Sequence, residues 1–196
     1  MRAIAFLFVF LLLGAVSVGA EADASSAPAL FSGFQFGDPP REGMLCMAGP
    51  CSTGQQVIGH RNPNQLTAVY RLPKTESRLG QVAVSTPQYY FFQDQLSRVL
   101  FHLDCDAKNA EYCMDAAAET LNEYYDMTLV RETYSAPAPD MAWLTRLYRT
   151  AAGQEVKIER TMYSGVWSSP VVDFNDPTLM DQLRFAANPN FRPHAD

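Results

Sequence analysis

The sequence predicts an α+β fold: a twisted antiparallel sheet built from hairpins, one long helix over about 109–125 packed across a face, and a short C-terminal helix. Three observations carry this expectation. Strand-like segments pair across loops too short for a crossover helix. The stretch Asn109 to Tyr125 repeats its apolar positions at helical spacing. Strands cluster before and after that helix instead of alternating with helices.

Met1-Arg2 is a short basic start, and Ala3 to Val18 is an almost unbroken apolar run. Val18-Gly19-Ala20 and Ala22-Asp23-Ala24 each offer the small-x-small pattern of a signal-peptidase site. Residues 1–20 therefore read as a secretory signal peptide, cleaved after Ala20 or Ala24. The run is too short, and too weakly flanked by charge, for a membrane-spanning helix, and no later run approaches a spanning length. Residues 21–30 are small and polar and read as a disordered lead-in. Residues 31–187 read as a single α+β domain, and 188–196 as a tail. The mature chain, roughly 170 residues, suffices for one ordinary core. The expected location is the periplasm or the medium outside the cell.

With 21 acidic against 15 basic residues the net charge is −6, and no Lys/Arg cluster exists. Nucleic acid is thereby excluded as a partner, since phosphate binding needs a concentrated basic footprint. The four cysteines, Cys46, Cys51, Cys105 and Cys113, read as disulfides in an exported chain. Four cysteines allow three connectivities. The local pairing Cys46–Cys51 and Cys105–Cys113 is expected, because Gly49-Pro50 supplies turn chemistry inside the first loop. Each bridge is worth roughly 2–3 kcal/mol on the chain-entropy model. The rival reading, a soft Cu(I) site of Met44, Cys46, Met47 and Cys51, has no neighbouring histidine and an oxidising compartment against it.

Phe34 to Gly37 is a short alternating segment stopped by Asp38-Pro39-Pro40. Arg41 to Asn64, rich in glycine and carrying the first cysteine pair, reads as a loop. Leu66–Leu72 and Gly80–Ser85 read as strands. The strongest hairpin pairs Tyr89–Phe92 with Leu96–Leu103 around Asp94-Gln95. That register puts Tyr90, Phe92, Val99, Phe101 and Leu103 on a core face, and Tyr89, Phe91, Arg98, Leu100 and His102 on the other. In the helix, Ala110, Cys113, Met114, Ala117, Leu121, Tyr124 and Tyr125 form one stripe. After a proline-rich break at Ala136 to Pro139, a second hairpin joins Met141–Thr150 to Glu155–Tyr163. Its expected register gathers Trp143, Leu147, Val156, Ile158 and Met162 on one face and sets Arg146 opposite Glu159. Val171–Phe174 reads as a last strand, and Asn175 or Asp176 caps the final helix with Pro177 at its start.

The segment Phe31-Ser32-Gly33-Phe34-Gln35-Phe36-Gly37, followed by Tyr90-Phe91-Phe92 and a hairpin bearing Trp143, resembles the opening of small exported bacterial proteins of unassigned function. The resemblance spans most of residues 31–163, and the cysteine-bearing insertion from Arg41 to Asn64 departs from it. It implies the α+β layout and carries over no catalytic residue.

Signatures of chemistry are absent from the sequence. Only His60, His102 and His194 are available as bases, and no G-x-S-x-G, H-E-x-x-H, P-loop or dinucleotide fingerprint occurs. No cofactor or metal is expected. Two surfaces stand out as partner-binding candidates. One is the mixed face of Tyr89, Phe91, Arg98 and His102. The other is the acidic ridge Glu111, Asp115, Glu119 and Glu123, whose i, i+4 repulsion costs on the order of 1 kcal/mol unless something binds it. The expected function is a non-enzymatic exported domain that binds an envelope protein or a small ligand. The alternative is an envelope hydrolase whose site is assembled from distant segments around His102.

Overall fold

The structure, a computed structural model, describes residues 33–53, 55–56, 65–73, 77–106 and 108–192. The leader over 1–20, the lead-in over 21–30, His60, His194 and residues 193–196 of the tail lie outside the described residues. The strands are β1 (Leu45–Ala48), β2 (Gln55–Gln56), β3 (Thr67–Arg71), β4 (Ser77–Leu79), β5 (Val82–Val84), β6 (Gln88–Phe92), β7 (Gln95–His102), β8 (Met127–Ala138), β9 (Met141–Thr150), β10 (Glu155–Tyr163), β11 (Val166–Trp167) and β12 (Val171–Asn175). The helices are α1 (Ala110–Tyr125) and α2 (Pro177–Ala187). The class is α+β, a mostly antiparallel sheet with two helices.

The main sheet runs β2-β1-β3-β6-β7-β12-β10-β9-β8, with β11 alongside β10. Only the short β1–β2 pairing is parallel. Val171–Asn175, read from the sequence as a last strand, sits in the middle of the sheet between β7 and β10. Its Val172 and Phe174 are buried with Val99, Phe101, Val156 and Ile158, and Met114, Ala117 and Leu121 of α1 close that face. The separate hairpin β4–β5 adds Leu79 and Val82 and packs against α1. Its turn approaches so closely that a Cβ on Gly80 would lie 2.5 Å from Thr120 Oγ1. The segment read as one loop, Arg41 to Asn64, contains β1 and β2. There a Cβ on Gly49 would lie 2.1 Å from the Thr67 carbonyl oxygen, so only glycine fits.

Both expected bridges form, with Cα–Cα separations of 6.1 Å for Cys46–Cys51 and 6.5 Å for Cys105–Cys113. With both sulfurs of Cys46 and Cys51 joined, neither thiolate is left for the soft-metal reading. The fully buried Tyr70 orders the loop after the first bridge, its hydroxyl accepting from the Ser52 N–H at 2.9 Å. The second bridge ties the chain after β7 to the first turn of α1. Asp126 ends α1 with a left-handed φ of 47°, its N–H donating to the Asn122 carbonyl. In α2, Asp176 Oδ1 accepts from the Leu179 N–H at 3.0 Å and Pro177 opens the first turn, as the sequence indicated.

The two hairpins correct the expected registers. The first turns at Gln93-Asp94, whose φ values of 52° and 60° meet the demand of a type I′ turn. Phe91 then pairs with Leu96, and a bulge at Ser97 brings Tyr89 opposite Val99. The shifted turn reverses β6, and the bulge keeps Val99 and Phe101 on the core side of β7. In the second hairpin the strand bounds are as expected, but Arg146 pairs with Ile158 and Glu159 with Thr145. Thr150 N–H donates to the Gln154 carbonyl around Gly153, closing the loop one residue early. Trp143 and Leu147 therefore face away from Val156 and Ile158. The proline-rich break is not a break: β8 continues through it to Ala138, with a register shift between Ser135 and Ala138.

On the outer face Arg98 forms a forked ion pair with Asp173, Nε–Oδ1 2.7 Å and Nη2–Oδ2 2.8 Å. Burial alone would lower the Arg98 pKa, and the hydrogen bond and charge of Asp173 overcome that and raise it. Asp173 is 8% exposed, so removing Arg98 strands a buried carboxylate. Phe101→Ala is expected to cost about 3–5 kcal/mol by chemical denaturation. Arg98→Ala should cost about 2 kcal/mol, more than a surface arginine, with part recovered in Arg98→Ala/Asp173→Asn. Equal stability of the Arg98 single and double variants would remove the stranded-charge explanation.

Candidate functional site

The aromatic surface expected at Tyr89 and Phe91 is not a surface. Both side chains are 1% exposed. Phe34 covers them, with its ring centroid 5.4 Å from Tyr89 and 6.2 Å from Phe91, and Tyr70 packs edge-on to Phe91 at 5.3 Å. Arg98, the third member, is taken up by Asp173 and lies over the Tyr90 ring. Only His102 remains exposed. It lines a shallow cleft of about 320 Å³ with Val84, Ser85, Leu103, Asp104 and Ser169. There the Ser85 hydroxyl accepts from the His102 backbone N–H at 2.9 Å. Among the described residues no hydrogen bond joins the His102 ring to a serine or to Asp104.

The acidic ridge is partly neutralised from within the fold. Arg146, with its side chain 12% exposed, pairs with Asp115 of α1, with Glu132 of β8 at 2.6 Å, and with Glu111 at 3.9 Å. Burial opposes the Arg146 charge, and the hydrogen bonds its guanidinium donates to Glu132 and Asp115 outweigh that and raise the pKa. Repulsion between Glu111 and Asp115 is thereby relieved. Glu119 and Glu123 lie exposed, with no ion pair among the described residues.

Arg146 also points to a feature that sequence reasoning passed over. Its partner Glu132 belongs to β8, which among the described residues pairs with β9 alone and forms an open edge of the sheet. Every side chain from Thr128 to Tyr134 is exposed, including Leu129 at 50%, Val130 at 51% and Tyr134 at 63%. Register places Leu129, Glu132 and Tyr134 on the helix side of the sheet. They pair with Tyr148, Arg146 and Leu144, which share the face of Val156 and Ile158. The ladder shifts between Leu129 and Arg131 and again between Ser135 and Ala138. Between the shifts Arg131–Ser135 pairs regularly with β9. Among the described residues the other end of the sheet is β2, Gln55–Gln56. Proteins commonly blunt exposed edges with bulges, charges and proline, and β8 carries these at the ends of its regular window. The run Thr128-Leu129-Val130-Arg131-Glu132-Thr133-Tyr134, rich in β-branched and aromatic residues, is the signal that could have found it.

No family model, curated protein or solved structure matches this chain. Two disulfides point to an oxidising environment. Among the described residues no helix is long and apolar enough to cross a membrane.

The two ends of the ridge are expected to respond oppositely to charge reversal. Asp115→Lys should lower stability by about 1 kcal/mol, since it sets a lysine against Arg146. Glu119→Lys should raise stability by a few tenths of a kcal/mol at low salt, the gain fading as salt screens it. Denaturation of both variants at low and high ionic strength checks this, and a gain from Asp115→Lys would deny Arg146 its structural role.

Proposed function

We propose that the protein is an exported, non-enzymatic domain, working in the periplasm or outside the cell, that binds a protein partner by strand addition to β8. The observation that carries this reading is the open edge. An edge strand presents a row of unpaired N–H and C=O groups, and an incoming extended segment satisfies them while its alternate side chains meet the flanking surfaces. Leu129 and Tyr134 supply apolar contact on the helix side, and the ordered window Arg131–Ser135 fixes a register. The ladder with β9 and the Glu132–Arg146 ion pair hold the edge in place, which lowers the entropy cost of binding.

A photoreactive phenylalanine analogue tests the edge directly. Placed at Tyr134 it should give a discrete cross-linked adduct in the producing cell, whereas at Phe185, exposed on α2, it should not. Equal adducts at both positions, or none at Tyr134, would move the binding surface elsewhere.

A second reading, the hydrolase around His102, has one observation in its favour: the cleft gathers an imidazole, a carboxylate and two hydroxyls. The expected outcome is no turnover of p-nitrophenyl acetate above buffer. Turnover that disappears in both His102→Ala and Ser169→Ala would make the protein an esterase.

A further inference from the structure

The peptide groups left open along β8 follow from the direction of those in β9. Thr150 N–H donates to the Gln154 carbonyl, so the peptide groups of Thr150 point toward β10. β9 and β10 pair without a register shift, so Tyr148, Arg146 and Leu144 point the same way. Leu147, Thr145 and Trp143 then point toward β8. The far end of β10 agrees, because Thr161, opposite Trp143, turns its carbonyl away from β9 and accepts from the Ser168 N–H. The partners of Leu147, Thr145 and Trp143 on β8 are Arg131, Thr133 and Ser135, whose N–H and C=O groups are thus engaged with β9. Within the regular window the groups open to a guest are those of Glu132 and Tyr134.

The same alternation sorts the side chains. Glu132 and Tyr134 lie on the helix side, where Arg146 already holds the Glu132 carboxylate at 2.6 Å and Tyr134 stands exposed. Arg131, Thr133 and Ser135 lie on the opposite face. On that face Arg149 is joined to Glu155 and Lys157 to Glu159, whereas Arg131 is exposed and has no ion pair among the described residues. A guest residue bonded opposite Glu132 or Tyr134 sends its side chain to the helix side, where an apolar group packs on Tyr134 and an acidic one would face Glu132. A guest residue opposite Arg131 sits in a pair with no hydrogen bonds between its members, where Cα atoms approach to about 4.5 Å and side chains lie closest. A carboxylate there pairs with Arg131, and a lysine there meets like charge. We infer that β8 receives an extended antiparallel segment alternating apolar with polar residues, its apolar side chains on the helix side and an acidic residue on the other face opposite Arg131. This assignment rests on the edge-docking reading and names its partner.

The test uses the protein recovered from the producing cell and fluorescence anisotropy at low salt. The probe is a short labelled peptide alternating valine with threonine, one central threonine replaced by glutamate, and its counterpart carries lysine there. Two further glutamate peptides are methylated on backbone nitrogens, one on the valines and one on the residues between them. The glutamate peptide should bind about tenfold more tightly than the lysine peptide, with the difference shrinking at high salt. Arg131→Glu should reverse that order. Methylation of the valines should cost about tenfold or more in affinity, because their N–H groups face the open carbonyls of Glu132 and Tyr134, and methylation of the intervening residues should cost little. If methylation of the intervening residues is the damaging one, the guest lies in another direction or register and the proposal falls. If the valine dependence holds but glutamate and lysine peptides bind alike, edge docking stands and the acidic preference is overturned. If neither methylation matters, the peptide does not use the edge and the proposal falls. If no peptide binds, the assigned guest is rejected, and the Tyr134 adduct alone decides whether the edge is used.

Discussion

The sheet is one sheet because of β12. Hydrogen bonding joins β1, β3, β6 and β7 into one block and β8, β9 and β10 into another, and Val171–Asn175 lies between β7 and β10. Five residues near the end of the described chain thus join the main-sheet strands before α1 to those after it. Val172 and Phe174 bury themselves under the helix, while Asp173 on the opposite face accepts both arms of Arg98, 75 positions earlier. The core can close only when this late segment arrives, so its pairing carries a large loop-closure cost and belongs to the slow, non-local contacts of folding. The burial of Asp173 makes the insertion selective. A strand that slipped by one residue would turn Val172 and Phe174 outward and put a carboxylate into the core.

Local pattern was legible and long-range placement was not. The helix could be read because its apolar stripe repeats at helical spacing, and Met114, Ala117 and Leu121 are buried where that stripe predicts. The bounds of β9 and β10 and the Asp176-Pro177 start of α2 follow from equally local rules. The registers failed because each rests on a single residue of loop chemistry. Gln93-Asp94 adopts positive φ at both positions with no glycine or asparagine to announce it, and Ser97 bulges with no sequence mark. These two departures combine. The turn alone would invert both strands of the hairpin, and the bulge restores one of them, so β7 was read correctly and β6 inside out. The central position of β12 has no sequence signal at all, since nothing in Val-Val-Asp-Phe-Asn says which neighbours it will have.

The candidate site suffered from the same asymmetry. Four consecutive aromatics at Tyr89–Phe92 exceed what one face of a strand can bury, which suggested a surface. The missing cover came from Phe34, more than fifty positions upstream by sequence number, and from Tyr70. The ridge on α1 was legible as a pattern of charge, yet its electrostatic meaning changed with Arg146. Taken alone, the ridge is four carboxylates repelling one another. In the fold, Glu111 and Asp115 share one well-buried guanidinium with Glu132, and among the described residues the lower two have no ion pair. Local repulsion is therefore converted into a structural tie at one end of the helix and left as an unbalanced field at the other.

The edge strand β8 carries charges of its own, and these limit what can pair with it. An antiparallel pairing of two copies through β8, related by a two-fold axis normal to the sheet, must place some residue opposite its own copy, because facing residues share a side. Within the regular window, centring on Arg131 or Glu132 sets like charges face to face. Centring on Thr133 sets Glu132 against Tyr134 and Arg131 against Ser135, and forms no ion pair. Each choice also brings together two chains of net charge −6. Self-association through the edge is thus opposed at short range in the registers centred on Arg131 or Glu132, and at longer range by net charge in all of them. The charges of the regular window thus act against the pairing of like edges, one of the ways a sheet protects an exposed strand.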